Sequence, residues 1–194
     1  MFSKVERCGA LQGFYMFRAM GGGTGGGVGN KVLEDLRDEW LKECIVECSV
    51  YPGRDFSSCV VEPYNCLLAG ANSFALTDLT FLMDNQASYK VAKKKMAVQH
   101  PTFDHINGLL AQVVSITTSS QRFASTVNAN LDELAVNLKP MGDYKYCAMG
   151  LAPIAPASAG SKETFSTSEI VNDAFNDSSI MCDTGLDQGT NLNH

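Results

Sequence analysis

Gly21-Gly22-Gly23-Thr24-Gly25-Gly26-Gly27 decides how this chain is read. Six glycines around one threonine present seven consecutive backbone amides with almost no side chain to keep an anion away. An apolar run, Phe14-Tyr15-Met16-Phe17, precedes them, and Val28, Val32, Leu33, Leu36 and Trp40 follow at helical spacing. A strand, a glycine turn and a helix start together offer a phosphate both free N–H donors and the positive end of a helix dipole.

Glycine loops serve more than one chemistry. A Walker loop needs a Lys-Ser/Thr pair after its last glycine, and Val28-Gly29-Asn30 stand there instead, which excludes it. Gly21-x-Gly23-x-x-Gly26 satisfies a dinucleotide fingerprint, whose ribose-binding acid is due about 20 residues on, at the end of the next strand. That strand, over 45–51, runs into Pro52-Gly53-Arg54-Asp55, so the acid comes late. An NAD(P)-dependent oxidoreductase with a Rossmann domain therefore stays open as the alternative function. A plain flexible linker is the third reading of so many glycines.

Composition narrows the classes. A chain of 194 residues with 45% hydrophobic content suits one or two globular domains. Its net charge of −6 repels polyanions, and Lys93-Lys94-Lys95 reads as the solvated face of a helix, so no nucleic-acid partner is expected. No run approaches the roughly 18 apolar residues of a membrane span, and residues 1–7 lack a signal-peptide core, so no membrane association is expected either. Seven cysteines without paired C-x-x-C spacing predict reduced, packed thiols rather than a disulfide framework or a zinc site; no metal ligand set is assigned. Cys44-x-x-x-Cys48 lies at a strand entry, and His100, His105 and His194 have no catalytic partner at diagnostic spacing.

Strand and helix signals then alternate, which predicts an α/β fold with a mostly parallel sheet. A helix is expected through Leu67, Leu68 and Ala71, and a strand over 77–83 ending at Asp84-Asn85-Gln86, where parallel sheets carry ligand contacts. A lysine-bearing helix over 86–98 is stopped by Pro101. Thr102 or Asp104 caps a long helix whose apolar side carries Ile106, Leu109, Leu110, Val113 and Ile116 or Thr117. A short helix over 128–138 holds Asp132 and Glu133 off its apolar stripe. A strand over 144–154, a small-residue loop over 155–162, a helix opened by the capping box Ser166-x-x-Glu169, and a polar tail over 183–194, expected to be disordered, complete the chain.

Several of these motifs, in order and in register, resemble the tubulin superfamily of GTPases. The loop at 21–27 is similar to the family's Gly-Gly-Gly-Thr-Gly-Ser-Gly and follows Leu11-Gln12-Gly13-Phe14; Val60-Val61-Glu62-Pro63-Tyr64-Asn65, Asp84-Asn85, Pro101-Thr102-Phe103 with Asn107, and Asn137-Leu138 before Pro140 continue the pattern over about residues 5–183. The resemblance implies a Rossmann-like GTPase domain with a mostly parallel sheet, incomplete at its N-terminus, over 1–103; a core helix and connection over 104–127; and the start of a second, α+β domain with its lateral-contact loop over 128–182. The missing first strands would make the chain a truncated or reduced form.

It also implies roles. Gly21, Gly22, Gly23, Thr24, Gly25 and Gly26 would wrap the phosphates of GTP, with Ser58 and Glu62 on the ribose side. Asn85 and Asn107 would read the guanine edge and Phe103 would stack on the base. Mg2+ would accompany the nucleotide, its ligands lying outside this chain. Glu133 would act on GTP held by a neighbouring subunit, as in α-tubulin-like chains, so hydrolysis by this chain alone is not expected. Gly26 stands where serine is usual and Phe103 where tyrosine is. The function implied is a GTP-binding structural subunit of microtubule-type polymers in the cytoplasm and cytoskeleton, with longitudinal and lateral contacts to other tubulin subunits.

Overall fold

The computed structural model describes residues 5–53, 57, 59–123, 130–154 and 165–183. Strand β1 (Phe14–Ala19) leads through the glycines into a π-helical turn (Thr24–Val28) that continues as α1 (Gly29–Glu39). Then come β2 (Ile45–Tyr51), α2 (Glu62–Leu76), β3 (Leu79–Asp84), α3 (Asn85–Lys95), α4 (Phe103–Thr117), the single turn α5 (Ser119–Arg122), α6 (Leu131–Leu138), β4 (Tyr146–Ala148) and α7 (Thr167–Ala174). All four strands run parallel in the order β1-β2-β3-β4. The expected α/β, Rossmann-like architecture is present.

Period-two alternation sorts the sheet onto two faces. Val46, Cys48, Phe81 and Met83 pack with Val91 and Ala92 of α3, Leu109 and Val113 of α4 and Leu131 and Ala135 of α6. Phe14 and Ile45 pack with Leu33 and Leu36 of α1. The helix α4 is held by this burial. Ile106, Leu109 and Val113 are sealed, each worth roughly 2 kcal/mol, against the few tenths that β-branched residues cost a helix. Thr117, rather than the exposed Ile116, turns to the sheet, where its hydroxyl lies 3.3 Å from the Tyr15 hydroxyl.

Two connections depend on cationic side chains at the C-terminal end of α2, where backbone carbonyls lack partners within the helix. Arg37 donates from Nε to the Leu76 carbonyl at 2.9 Å and from Nη2 to Asp78 at 2.8 Å. Lys145 donates to the carbonyls of Phe74 and Thr77 and lies 4.3 Å from the centre of the Phe74 ring. Its burial pushes the ammonium pKa down.

The structure differs from sequence expectation at several points. The segment expected as a strand over 144–154 pairs with β3 only at 146–148. Past it, residues 179–181 separate the two segments: Asp84 N–H donates to the Met181 carbonyl at 2.9 Å, and Met181 N–H donates to the Met149 carbonyl at 2.7 Å. Thr77 ends α2 instead of opening β3, its N–H donating to the Ser73 carbonyl. The helix expected through Leu67, Leu68 and Ala71 is α2, and on it Leu67 and Leu68 are exposed. Asp183, assigned to the tail, pairs with Lys90 at 2.9 Å; residues 184–194 lie outside the described residues, as does the loop at 155–162. Among the described residues no two cysteines are joined in a disulfide, and Cys8 and Cys59 are exposed rather than packed.

Candidate functional site

Parallel strands deliver their C-terminal ends to one edge of the sheet, and register makes those ends adjacent: Ala19 pairs with Val50, and Tyr51 with Asp84. The glycine loop, the connection after β2 and the start of α3 therefore leave the sheet side by side.

Within the loop the glycines do different things. A Cβ on Gly25 would sit 1.9 Å from the Ala19 carbonyl oxygen, so the chain there lies directly on the end of β1. A Cβ on Gly26 would come 3.2 Å from that of Ala69 on α2. Gly22 and Gly23, by contrast, face open space. Gly23 already has helical angles, and Gly26 N–H donates to the Gly22 carbonyl at 3.0 Å. The seven amides counted in the sequence are thus divided: the helix uses that of Gly26, and the first turn, around Gly23, Thr24 and Gly25, holds the donors that find no acceptor inside a helix. They lie at the positive end of a helix running on to Glu39. Open space on the glycine side and donors at a helix start fit a phosphate group.

Glu62 opens α2 against this loop, its Cγ 3.4 Å from where a Gly21 Cβ would be. The Ser57 hydroxyl donates to Glu62 Oε2 at 2.5 Å. Asn65, one turn along α2, donates from Nδ2 to the Gly21 carbonyl at 2.9 Å. Ser58 lies outside the described residues.

Asn85 is the first residue of α3, whose N-cap Asp84 accepts from Gln86 N–H at 2.9 Å. Burial, followed by the nearby Asp183 carboxylate, pushes the Asp84 pKa up, although the Gln86 and Ala87 amides and Lys90 pull the other way. Phe103 and Asn107 lie one turn apart at the start of α4, both exposed, Phe103 at 62%. Thr102 and His105 form the capping box there, with Thr102 N–H donating to His105 Nδ1 at 3.2 Å. Glu133 is exposed on the first turn of α6 and accepts from Asn130 N–H at 3.2 Å, closing that helix's own capping box. The structure thus brings Gly21, Glu62 and Asn65 into contact, and carries Asn85, Phe103, Asn107 and Glu133 on three separate elements. Among the described residues, no group of three His, Cys, Asp or Glu side chains converges to hold a metal ion.

Beneath the loop lies a polar cluster that the sequence reading passed over. Arg18 Nε donates to Glu47 Oε1 at 2.8 Å with both side chains sealed from solvent. Arg18 Nη1 donates to Asn30 Oδ1 at 2.6 Å and to the Gly25 carbonyl at 3.1 Å, and Asn30 Nδ2 donates to the Ala69 carbonyl at 3.2 Å. The Ser49 hydroxyl donates to Glu47 Oε1. A signal existed: an arginine and a glutamate inside otherwise apolar strands, at positions that share a face once the register is known.

Residues 1–93 match the family model for the Tubulin/FtsZ family, GTPase domain. The chain is 41% identical over 181 residues to the tubulin alpha-A chain of Neurospora crassa, covering 92% of this chain and 40% of that one. It is 40% identical to the human tubulin alpha chain-like 3, over 94% of this chain and 41% of that one. It is 38% identical to the tubulin alpha-3 chain of Saccharomyces cerevisiae, over 92% and 41%. The chain spans about two fifths of the length of these curated relatives.

Proposed function

This chain belongs to the tubulin superfamily, and on that premise we propose that it is a guanine-nucleotide-binding structural subunit that assembles with other tubulin subunits into a microtubule-type polymer. The observation that carries the reading is the loop itself: open space at Gly22 and Gly23 beside the donor-bearing first turn of a long helix, on the carboxyl edge of a parallel sheet. The dinucleotide-dependent oxidoreductase is set aside. Its ribose acid is due at the end of β2, where Tyr51, Pro52 and Gly53 stand, and the matched family is that of a GTPase domain.

In this proposal the loop Gly21–Gly26 wraps the phosphates, its first-turn amides other than that of Gly26 serving as donors, Glu62 and Ser58 approach the ribose, Asn85 and Asn107 read the guanine edge, and Phe103 stacks on the base. Mg2+ enters with the nucleotide. Residues 1–103 form the nucleotide-binding part, 104–127 the core helix and its connection, and 128–182 the start of the second domain. Glu133 serves a partner: a carboxylate on an exposed helix start is available to orient water on GTP bound by the next subunit, so turnover requires assembly. The lateral-contact role belongs to residues 155–162, and the setting is the cytoskeleton. No described helix is long and apolar enough to cross a membrane.

A titration of the purified chain with fluorescent GTP, competed by GTP, ATP and NAD, tests the reading. Saturable binding displaced by GTP alone supports it; displacement by NAD, or no binding at all, overturns nucleotide binding by this chain.

A further inference from the structure

We propose that Arg18 is a positioning residue for the phosphate loop, setting the path of Gly21–Gly25 by clamping the Gly25 carbonyl and Asn30 to the sheet. The inference rests on the guanine-nucleotide reading above. One guanidinium reaches three elements: Glu47 on β2, Asn30 on α1 and, at the Gly25 carbonyl, the backbone of the turn between β1 and α1. Because the planar guanidinium holds its donors in a fixed fork, fixing Nε on Glu47 also fixes where Nη1 points. The Gly25 carbonyl and the first residues of α1 are thereby referenced to the centre of the sheet.

The surroundings are shaped to admit this side chain. A Cβ on Gly29 would lie 3.1 Å from Arg18 Cδ and 3.2 Å from Nη1, so the glycine leaves the room the guanidinium occupies. Gly29 has ordinary helical angles, φ −58° and ψ −44°, so backbone conformation alone does not call for glycine there.

Stability is a poor explanation for the cluster. Arg18 Nη2 and Glu47 Oε2 are both buried without a hydrogen-bond partner among the described residues, and a buried pair with unmet bonding capacity is readily outdone by apolar side chains of similar size. Geometry explains it better. The peptide whose carbonyl Arg18 holds carries Gly26 N–H, which donates to the Gly22 carbonyl at 3.0 Å, so clamping Gly25 fixes the turn that closes on Gly22 and, with it, the path of the first-turn N–H groups beside Gly22 and Gly23.

The test uses the intact chain and two variants. Arg18→Met alone would strand the Glu47 carboxylate and endanger folding, so Arg18→Met is combined with Glu47→Met. The second variant, Gly29→Ala, favours the helix by propensity yet displaces the guanidinium. Each protein is titrated with fluorescent GTP and competed with GTP, GDP, GMP and guanosine. Hydrogen exchange is followed at residues 20–28, and cooperative unfolding is checked by denaturant.

Both variants are expected to unfold cooperatively and to hold guanosine within about twofold of the unaltered chain. Affinity for GTP and GDP should fall about tenfold, and exchange at the loop should quicken by a similar factor while β3 is unchanged. Equal losses for guanosine and GTP would reduce the cluster to general structural support and overturn the proposal. Unchanged loop exchange would overturn it as well. If the unaltered chain binds no guanine nucleotide, the functional reading fails on its own, and loop exchange in the two variants alone decides whether Arg18 is the clamp.

Discussion

Asn65 on α2 and Gly21 at the mouth of the glycine loop are joined by one hydrogen bond, from the Asn65 Nδ2 to the Gly21 carbonyl at 2.9 Å. The bond spans 44 residues and fastens the point where the loop leaves β1 to the helix that carries Glu62. Asn65→Ala removes it without touching a phosphate donor. The expected loss is about 1 kcal/mol of loop order, hence roughly fivefold weaker fluorescent-GTP binding. An unchanged dissociation constant would show that α2 does not hold the loop.

Substitutions of neighbouring glycines should separate folding from binding. Gly25→Ala drives a methyl to 1.9 Å from a backbone oxygen that cannot move away, so denaturant unfolding should show a loss of several kcal/mol or no folded protein. Gly22→Ala and Gly23→Ala meet nothing within 4 Å. They should leave the unfolding midpoint nearly unchanged while weakening GTP binding at least tenfold, because the methyl takes the phosphate's space. Full binding by both would move the phosphate site elsewhere.

Asp84 makes stability depend on pH in a stated direction. Its folded pKa lies above the unfolded value of about 3.9, chiefly through burial. The protonated form is therefore favoured by folding, and that contribution is present at low pH and lost as pH rises through the folded value. Asp84→Asn keeps an oxygen for Gln86 N–H and cannot ionise. Chemical-denaturation midpoints should match near pH 4 and diverge in favour of the variant as pH rises toward neutral, then stay parallel. A variant less stable at pH 7 would contradict this.

Thiol reactivity should follow burial. The Cys44 thiol is pushed up to about 12 by desolvation and then by the Asp78 and Asp132 carboxylates. Cys48 is pushed up to about 11, again mainly by desolvation. At pH 8 neither forms appreciable thiolate, the species that reacts. Brief iodoacetamide treatment followed by mass spectrometry should modify the exposed Cys8 and Cys59 and leave Cys44 and Cys48 until the chain is unfolded.

Glu133 has a local task and a proposed remote one, and two substitutions distinguish them. Glu133→Gln keeps an acceptor for Asn130 N–H and should leave α6 intact, while suppressing GTP hydrolysis in co-assembly with tubulin. Glu133→Ala also removes the capping box, weakening the helix by less than the ~1 kcal/mol typical of a lost N-cap. Normal turnover in assemblies of the Gln variant would confine Glu133 to capping.

Much of the fold was legible because its signals are local. Ile45–Tyr51 is a strand as expected, since an apolar, β-branched run between polar turns has few other options. Ser166 opens its helix as expected, because a capping box is written in four consecutive residues, and of the two candidates Thr102 and Asp104 it is Thr102 that caps α4. The site was legible in part. Glu62 lies against Gly21, but Asn65, Arg18 and Glu47 could not be ranked without knowing which strands are neighbours, and which side of α2 carries the exposed Leu67 and Leu68 depends on the same packing.

By itself the sequence determined the order of strands and helices, the place of the glycine loop between strand and helix, and the kinship with tubulins, because periodicity, turn chemistry and motif order are properties of contiguous residues. Only the tertiary structure decided which glycines face open space, that residues 179–181 part β4's continuation from β3, and that Arg18 and Glu47 meet in a sealed pair under the loop. Each of those is settled by which surfaces, often tens of residues apart, come to exclude water together, and no short window of sequence contains both sides of such a contact.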